Sequence, residues 1–326
     1  MGINLITIKN KLEDLEVDLL SPYATKCKES KGRKLESIDE FPIRTEFQRD
    51  RDKIIHSKSF RRLKHKTQVF LSPFNDHFRT RLTHTLEVSQ IARTMARALR
   101  LNEDLVEAIL NELLPKGFYH NLQSVRVVEV IEDMNLCQET IDGIMTHSWG
   151  YKPKTPEAQV VQYADKIAYI NHDIEDSIRA GVIAENDLPK DCIEYFSTNQ
   201  SERLGKMIAD VISNSMDNPK VMMSDEGWHY VTKLREWMFE HVYLDPVTKS
   251  EEKKARNIIK SLYEYYTEKL EAYCEKEEIP QLVTDYISGM SDQYAIRRYL
   301  DLFIPKPLAE QSNDDALFRR MKDGVY

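Results

Sequence analysis

The sequence predicts an all-α fold, and three observations carry that prediction. Glycine (10) and proline (12) are scarce across 326 residues, charged residues reach 31%, and apolar residues recur at helical rather than alternating spacing. A sandwich or barrel would need many more turn-forming residues, whereas long helices with one solvated face suit this composition. An apolar share of 41% is enough for a real core and weighs against wholesale disorder.

Residues 20–45 are polar and turn-rich and predict an arm or ordered loop. A helix is expected from near Thr45 through RTEFQRDRDKIIHSKSFRRL, with Phe47, Ile54, Ile55 and Phe60 as core candidates. The next, over 79–100, places His84, Val88, Ile91, Met95 and Ala98 or Leu99 on one stripe. A short helix follows from Glu103. Further helical patterns cover 121–134, 138–147, 156–180, 201–216, 226–243, 249–276 and 292–303. Pro153 and Pro156 punctuate the entry to the 156–180 helix, and Gly181 stands at its expected C-terminal cap. The tail after 305 reads as peripheral. The chain thus divides into an arm (1–45), a helical core (46–200) and a C-terminal helical region (201–326).

A net charge of −8 argues against generalised nucleic-acid binding. The four cysteines are far apart and form no CxxC, so neither a disulfide framework nor a zinc knuckle is indicated. No apolar run approaches membrane-spanning length, and the first residues lack a secretory layout. A cytoplasmic protein is expected.

Chemistry concentrates in four patches. His84 faces the predicted core with Arg79 and Arg81 beside it, as a satisfied core histidine, a metal ligand or a phosphate-site acid. Asp165, Tyr169 and Asp173 share one face of the 156–180 helix at i, i+4 and i+8, with Lys166 next door. A solvated charged face accounts for them, and so does an aspartate aimed at a metal. The basic run FRRLKHKTQVF (60–70) is either a helix end offset by cations or an anion subsite. GFYHNLQSVRVVE (117–129) sets His120 and Asn121 at a helix start, as a cap or as an anion site.

Together with DYISGMSDQYA (285–295) and SPYATKCKESKGR (21–33), these segments in this order closely resemble the bacterial deoxyguanosine-triphosphate triphosphohydrolase-like proteins of the HD superfamily. The resemblance covers nearly the whole chain. It implies an HD-domain-like helical bundle with additional C-terminal helices. The implied reaction cleaves a dNTP between the nucleoside and its α-phosphorus, releasing deoxynucleoside and triphosphate. It also implies a divalent metal (Mg²⁺ or Mn²⁺), a homo-oligomer and a nucleotide activator, with the arm and Arg33 as candidate intersubunit or effector contacts. On the family's motifs His84 and Asp165 match metal ligands, and Arg81 matches a triphosphate contact. Gln68 matches a sugar-recognising residue, Lys166, Tyr169 and Asp173 fall on the substrate side, and His120 resembles a catalytic histidine near the α-phosphate.

One segment departs from the family. Members run from a helix ending like LVEAI into an ALGHDLGHTPFGHAGE-type stretch before LNELLP. Here Ile109 and Leu110 lead directly to Asn111, so the central His-Asp ligands have no counterpart at that point. A catalytic metal site wants about three protein ligands and an open position. Activity of the chain as written is therefore expected to be impaired, leaving a nucleotide-binding sensor or inactive subunit as the alternative, with another nucleotide phosphohydrolase as runner-up. His120, His147 and Glu112 are the only ligand types foreseen nearby. All of this requires His84 and Asp165 to converge from separate helices.

Overall fold

The computed structural model describes residues 5–36, 39, 41–67, 79–110, 120–244, 246–305 and 321–322. Among them the fold is all-α. Its helices are α1 (Leu5–Leu19), α2 (Glu46–Ile55), α3 (Lys58–Arg62), α4 (Arg81–Ala98), α5 (Glu103–Leu110), α6 (His120–Arg126) and α7 (Gln138–Thr146), then α8 (Pro156–Arg179), α9 (Lys190–Phe196), α10 (Gln200–Ser215), α11 (Asp225–Met238), α12 (Pro246–Leu270), α13 (Ile279–Ser288) and α14 (Asp292–Phe303). The only β pairings among these residues are two isolated bridges, Arg33–Cys137 and Thr67–Thr80. No described helix is long and apolar enough to cross a membrane.

Local chemistry sets the helix ends. Thr155 caps α8 by accepting the Ala158 N–H at 3.2 Å, Pro156 supplies the first helical residue, and Gly181 follows the last turn with φ +70°. Asn199, Ser224 and Ser291 cap α10, α11 and α14 in the same way. The single helix expected from Thr45 is instead two. After His56 the Ser57 hydroxyl takes the Phe60 N–H at 3.0 Å, a local bond that competes with helix continuation. Beyond α6 the chain widens into a π-helical stretch over Val127–Ile131.

The chain forms two compact units. The first holds residues 1–61 and 82–242. In it α5 packs against α2, α7 and α8, and α8 in turn carries α10 and α11. Phe47, Ile54, Met95, Leu105, Ile109, Leu110, Ile167 and Ile170 are fully buried or nearly so, while the core candidates Ile55 and Phe60 are half-buried. The α5–α7 contact is so close that a Cβ on Gly143 would lie 2.3 Å from Ile109 Cδ1.

The arm is tied into this unit by buried carboxylates. Glu157, fully buried at the start of α8, accepts the Thr25 N–H (2.9 Å), the Thr25 hydroxyl (2.8 Å) and the Asn102 N–H (3.1 Å). Glu139 takes the Ser30 hydroxyl and the Lys31 N–H, each at 2.8 Å. Arg33, whose side chain is 6% exposed, pairs with Asp50 and Glu46 and donates to the Asn135 carbonyl. Its guanidinium is thus taken up inside its own chain. Asp50 also accepts the Cys137 N–H and the Thr140 hydroxyl, so its buried charge is fully partnered.

The second unit holds residues 62–81 and 243–326. Here α12 packs on α13 and α14 around Leu262, Tyr266, Leu270, Ile279 and Val283. The short segment after α3 is pinned by Lys66, which donates to the Ser288 carbonyl (2.6 Å), and by Thr67, whose N–H and hydroxyl both reach Asp292 Oδ2.

Candidate functional site

Two helices of the first unit bring four polar side chains together. From α4 come His84 and Glu87, one turn apart; from α8 come Asp165 and His172, two turns apart. His84 Nε2 lies 3.6 Å from Asp165 Oδ1, and His84 Nδ1 lies 3.1 Å from His172 Nδ1. The two imidazoles meet edge to face, at an interplanar angle of 84°. His172 Nε2 in turn stands 3.4 Å from Glu87 Oε2. Both rings are buried, whereas the Asp165 and Glu87 side chains keep 29% and 42% of their surface. The arrangement is a chain with a carboxylate at each end and two imidazoles between them.

His172 and Glu87 were not singled out from the sequence. His172 precedes Asp173, so a His-Asp dipeptide does stand in this chain, although not where the family places its own. The signal was available: His172 is i+7 from Asp165 and shares its face of α8. Glu87, at i+3 from His84, was equally legible.

Around this chain of four, Lys166 points its ammonium at two indoles, 4.4 Å from the Trp149 ring centre and 4.9 Å from that of Trp228. Tyr163 closes the cluster edge-on to Trp149. Tyr169 is half-buried and Asp173 fully buried on α8. His147, a foreseen substitute ligand, is buried with Nδ1 2.6 Å from the Ile144 carbonyl and Nε2 3.3 Å from the Ser148 hydroxyl. Burial lowers its pKa, partly offset by the Asp165 charge, so the ring is held neutral with both nitrogens engaged.

Arg81 begins α4 but belongs to the second unit. Burial pushes its guanidinium down to about 10, with the Asp292 carboxylate pulling the other way, and it stays charged at neutral pH. Gln68 and Glu112 lie outside the described residues. His120 opens α6, but its side chain also lies outside them.

At 3.6 Å, His84 Nε2 and Asp165 Oδ1 stand as two donors on one tetrahedral ion would (roughly 3.3–3.6 Å), whereas adjacent donors on an octahedral Mg²⁺ or Mn²⁺ stand roughly 2.9–3.1 Å apart, so the pair would close slightly to hold one. Among the described residues, however, no group of three or more His, Cys, Asp or Glu side chains is placed to hold a metal. The two ligands make part of a site and not a whole one.

Comparison with known proteins gives these residues a context. Residues 221–301 match the phosphohydrolase-associated domain. A deoxyguanosinetriphosphate triphosphohydrolase-like protein of Caldanaerobacter subterraneus subsp. tengcongensis is 49% identical, over 94% of this chain and 98% of its own length. Proteins of the same name from Clostridium tetani and Desulfatibacillum aliphaticivorans are 42% and 41% identical, over 94% and 93% of this chain and 99% and 100% of theirs. The first alignment is 334 positions long, although 94% of 326 residues is only about 306. Roughly 28 aligned positions of that relative (334 less 306) therefore have no counterpart here.

Proposed function

The chain belongs to the family of deoxyguanosinetriphosphate triphosphohydrolase-like proteins, and from that premise we propose that it binds a deoxynucleoside triphosphate and that its hydrolysis to deoxynucleoside and triphosphate is impaired. The observation that carries this reading is the approach of His84 Nε2 to Asp165 Oδ1, two donors that no group of three or more metal-ligating side chains includes among the described residues.

Each residue has a task that its chemistry suits. Arg81, half-buried, keeps a full charge, and an oligophosphate would offset its desolvation through charge-assisted hydrogen bonds. Lys166 and Tyr169 would contact the phosphates, Gln68 the deoxyribose, and Asp173 a polar edge of the substrate. His120 would serve the oxygen leaving with the nucleoside, the place where a proton is needed when the bond to the α-phosphorus breaks. A divalent ion, when bound, polarises a phosphoryl oxygen and acidifies a water. His84 and Asp165 would hold it, but two ligands hold it weakly. A cytoplasmic homo-oligomer with a second, activating nucleotide is part of the same reading.

The test is release of triphosphate from all four dNTPs with Mg²⁺ or Mn²⁺, with and without an added second nucleotide. The chain is expected to be slow or inactive, and a version carrying the relatives' segment between Ile109 and Leu110 is expected to be active. Inactivity of the restored version on every dNTP overturns the reading. The same shortfall in ligands favours a second reading, a nucleotide sensor. Titration calorimetry in metal-free buffer separates the two, because the sensor still binds dNTP there.

A further inference from the structure

We propose that His172 and Glu87 are positioning residues that fix which nitrogen of His84 carries its proton. The inference rests on the reading of His84 as a cation ligand, but its premises are the contacts alone.

Glu87 Oε2 lies 3.4 Å from His172 Nε2, and a carboxylate favours an N–H rather than a lone pair facing it. His172 therefore carries its proton on Nε2. Its Nδ1 is then a lone pair, and it stands 3.1 Å from His84 Nδ1. Two lone pairs at that distance repel, so His84 carries its proton on Nδ1 and donates it to His172. The remaining nitrogen, His84 Nε2, is left as a lone pair directed toward Asp165 Oδ1 at 3.6 Å.

A divalent cation held between His84 Nε2 and Asp165 would take that lone pair and meet the carboxylate charge. Metal-bound imidazoles characteristically hand their other N–H to an acceptor that orients the ring, and outer partners of this kind commonly change metal affinity by about 10- to 100-fold. Here the acceptor is a second imidazole, itself oriented by a half-exposed glutamate.

The experiment reads the tautomers directly. Two-bond ¹H–¹⁵N correlation spectra of the metal-free full chain are recorded at about pH 8, where ordinary imidazoles are neutral. His84 is expected to show a protonated Nδ1 and a bare Nε2, and His172 the reverse. His172→Phe should remove the preference at His84. His172→Asn should retain it, because the amide oxygen can accept the same proton. Glu87→Ala alters a residue at the surface, so it tests the relay without burdening the fold; it should scramble both rings. Mn²⁺ affinity, read by electron paramagnetic resonance, should fall roughly 10- to 100-fold in His172→Phe and recover in His172→Asn. A proton on His84 Nε2 in the unaltered chain overturns the relay whatever the metal does. The expected tautomers without any Mn²⁺ binding leave the relay standing and remove the cation reading instead.

Discussion

Lys166 lies against Trp149 and Trp228 together, its ammonium within 5 Å of both indole centres (4.4 and 4.9 Å). A cation desolvated over aromatic faces gains about 2 kcal/mol, most strongly over tryptophan. Lys166→Met is therefore expected to cost about 1–2 kcal/mol in urea unfolding. In a Trp149→Leu background the same change should cost about 0.5–1 kcal/mol less. Equal costs in both backgrounds would show that the indole does not hold the ammonium.

Gly143 admits α5 onto α7. A methyl at this position would stand 2.3 and 2.4 Å from Ile109 Cδ1 and Cγ1, far inside contact distance, with Ile109 itself fully buried. Gly143→Ala should destabilise by about 1–3 kcal/mol, in spite of alanine's better helix propensity. Trimming the neighbour relieves the clash, so Ile109→Ala combined with Gly143→Ala should be more stable than the sum of the separate losses. Strict additivity in thermal or urea unfolding would contradict the packing argument.

Half-buried Glu46 and fully buried Glu157 predict opposite pH slopes. Burial alone would raise the Glu46 carboxyl, but hydrogen bonds and charge from Lys9 and Arg33 outweigh it and hold the group at about 2. A depressed carboxylate stabilises the fold above its unfolded pKa and loses that contribution as pH falls through the folded one. Glu46→Gln should thus cost about 1–2 kcal/mol at neutral pH once solvent screening of this half-buried group is allowed for, and the gap to the unaltered chain should close between about 4.5 and 2. Glu157 is the reverse case. Burial raises its pKa despite bonds from Asn102 and Thr25, so its contribution is full below 4.5 and declines as pH rises through the folded value. Glu157→Gln should accordingly gain on the unaltered chain as pH rises from about 4.5. Parallel pH profiles for the two variants, in chemical unfolding, would refute the assignment.

Much of this architecture was legible because long helices announce themselves twice, by an apolar stripe and by their ends. The expectation of 156–180 meets an observed Pro156–Arg179, and 292–303 meets Asp292–Phe303. Helix α1 escaped because Ile6, Leu15, Val17 and Leu19 remain exposed, so its apolar residues mark no buried face. Helices α9 and α13 were also unforeseen; each is short and opens beside a proline, Pro189 and Pro280, which reads equally well as a turn. In the site, His84 and Asp165 could be paired through resemblance, because motifs name ligands. Resemblance does not name what stands behind a ligand, and His172 and Glu87 became visible only when α4 and α8 were set side by side.

The bonds from Thr25 to Glu157 carry a consequence for how this polypeptide tolerates trimming. Glu157 sits in the first turn of the helix that presents Asp165, Lys166 and His172. Cutting away the leading thirty-odd residues would take both Thr25 donors from its carboxyl, and would strip buried Asp50 of its guanidinium partner as well. What looks like a dispensable leader is a clasp closed over the root of the working helix.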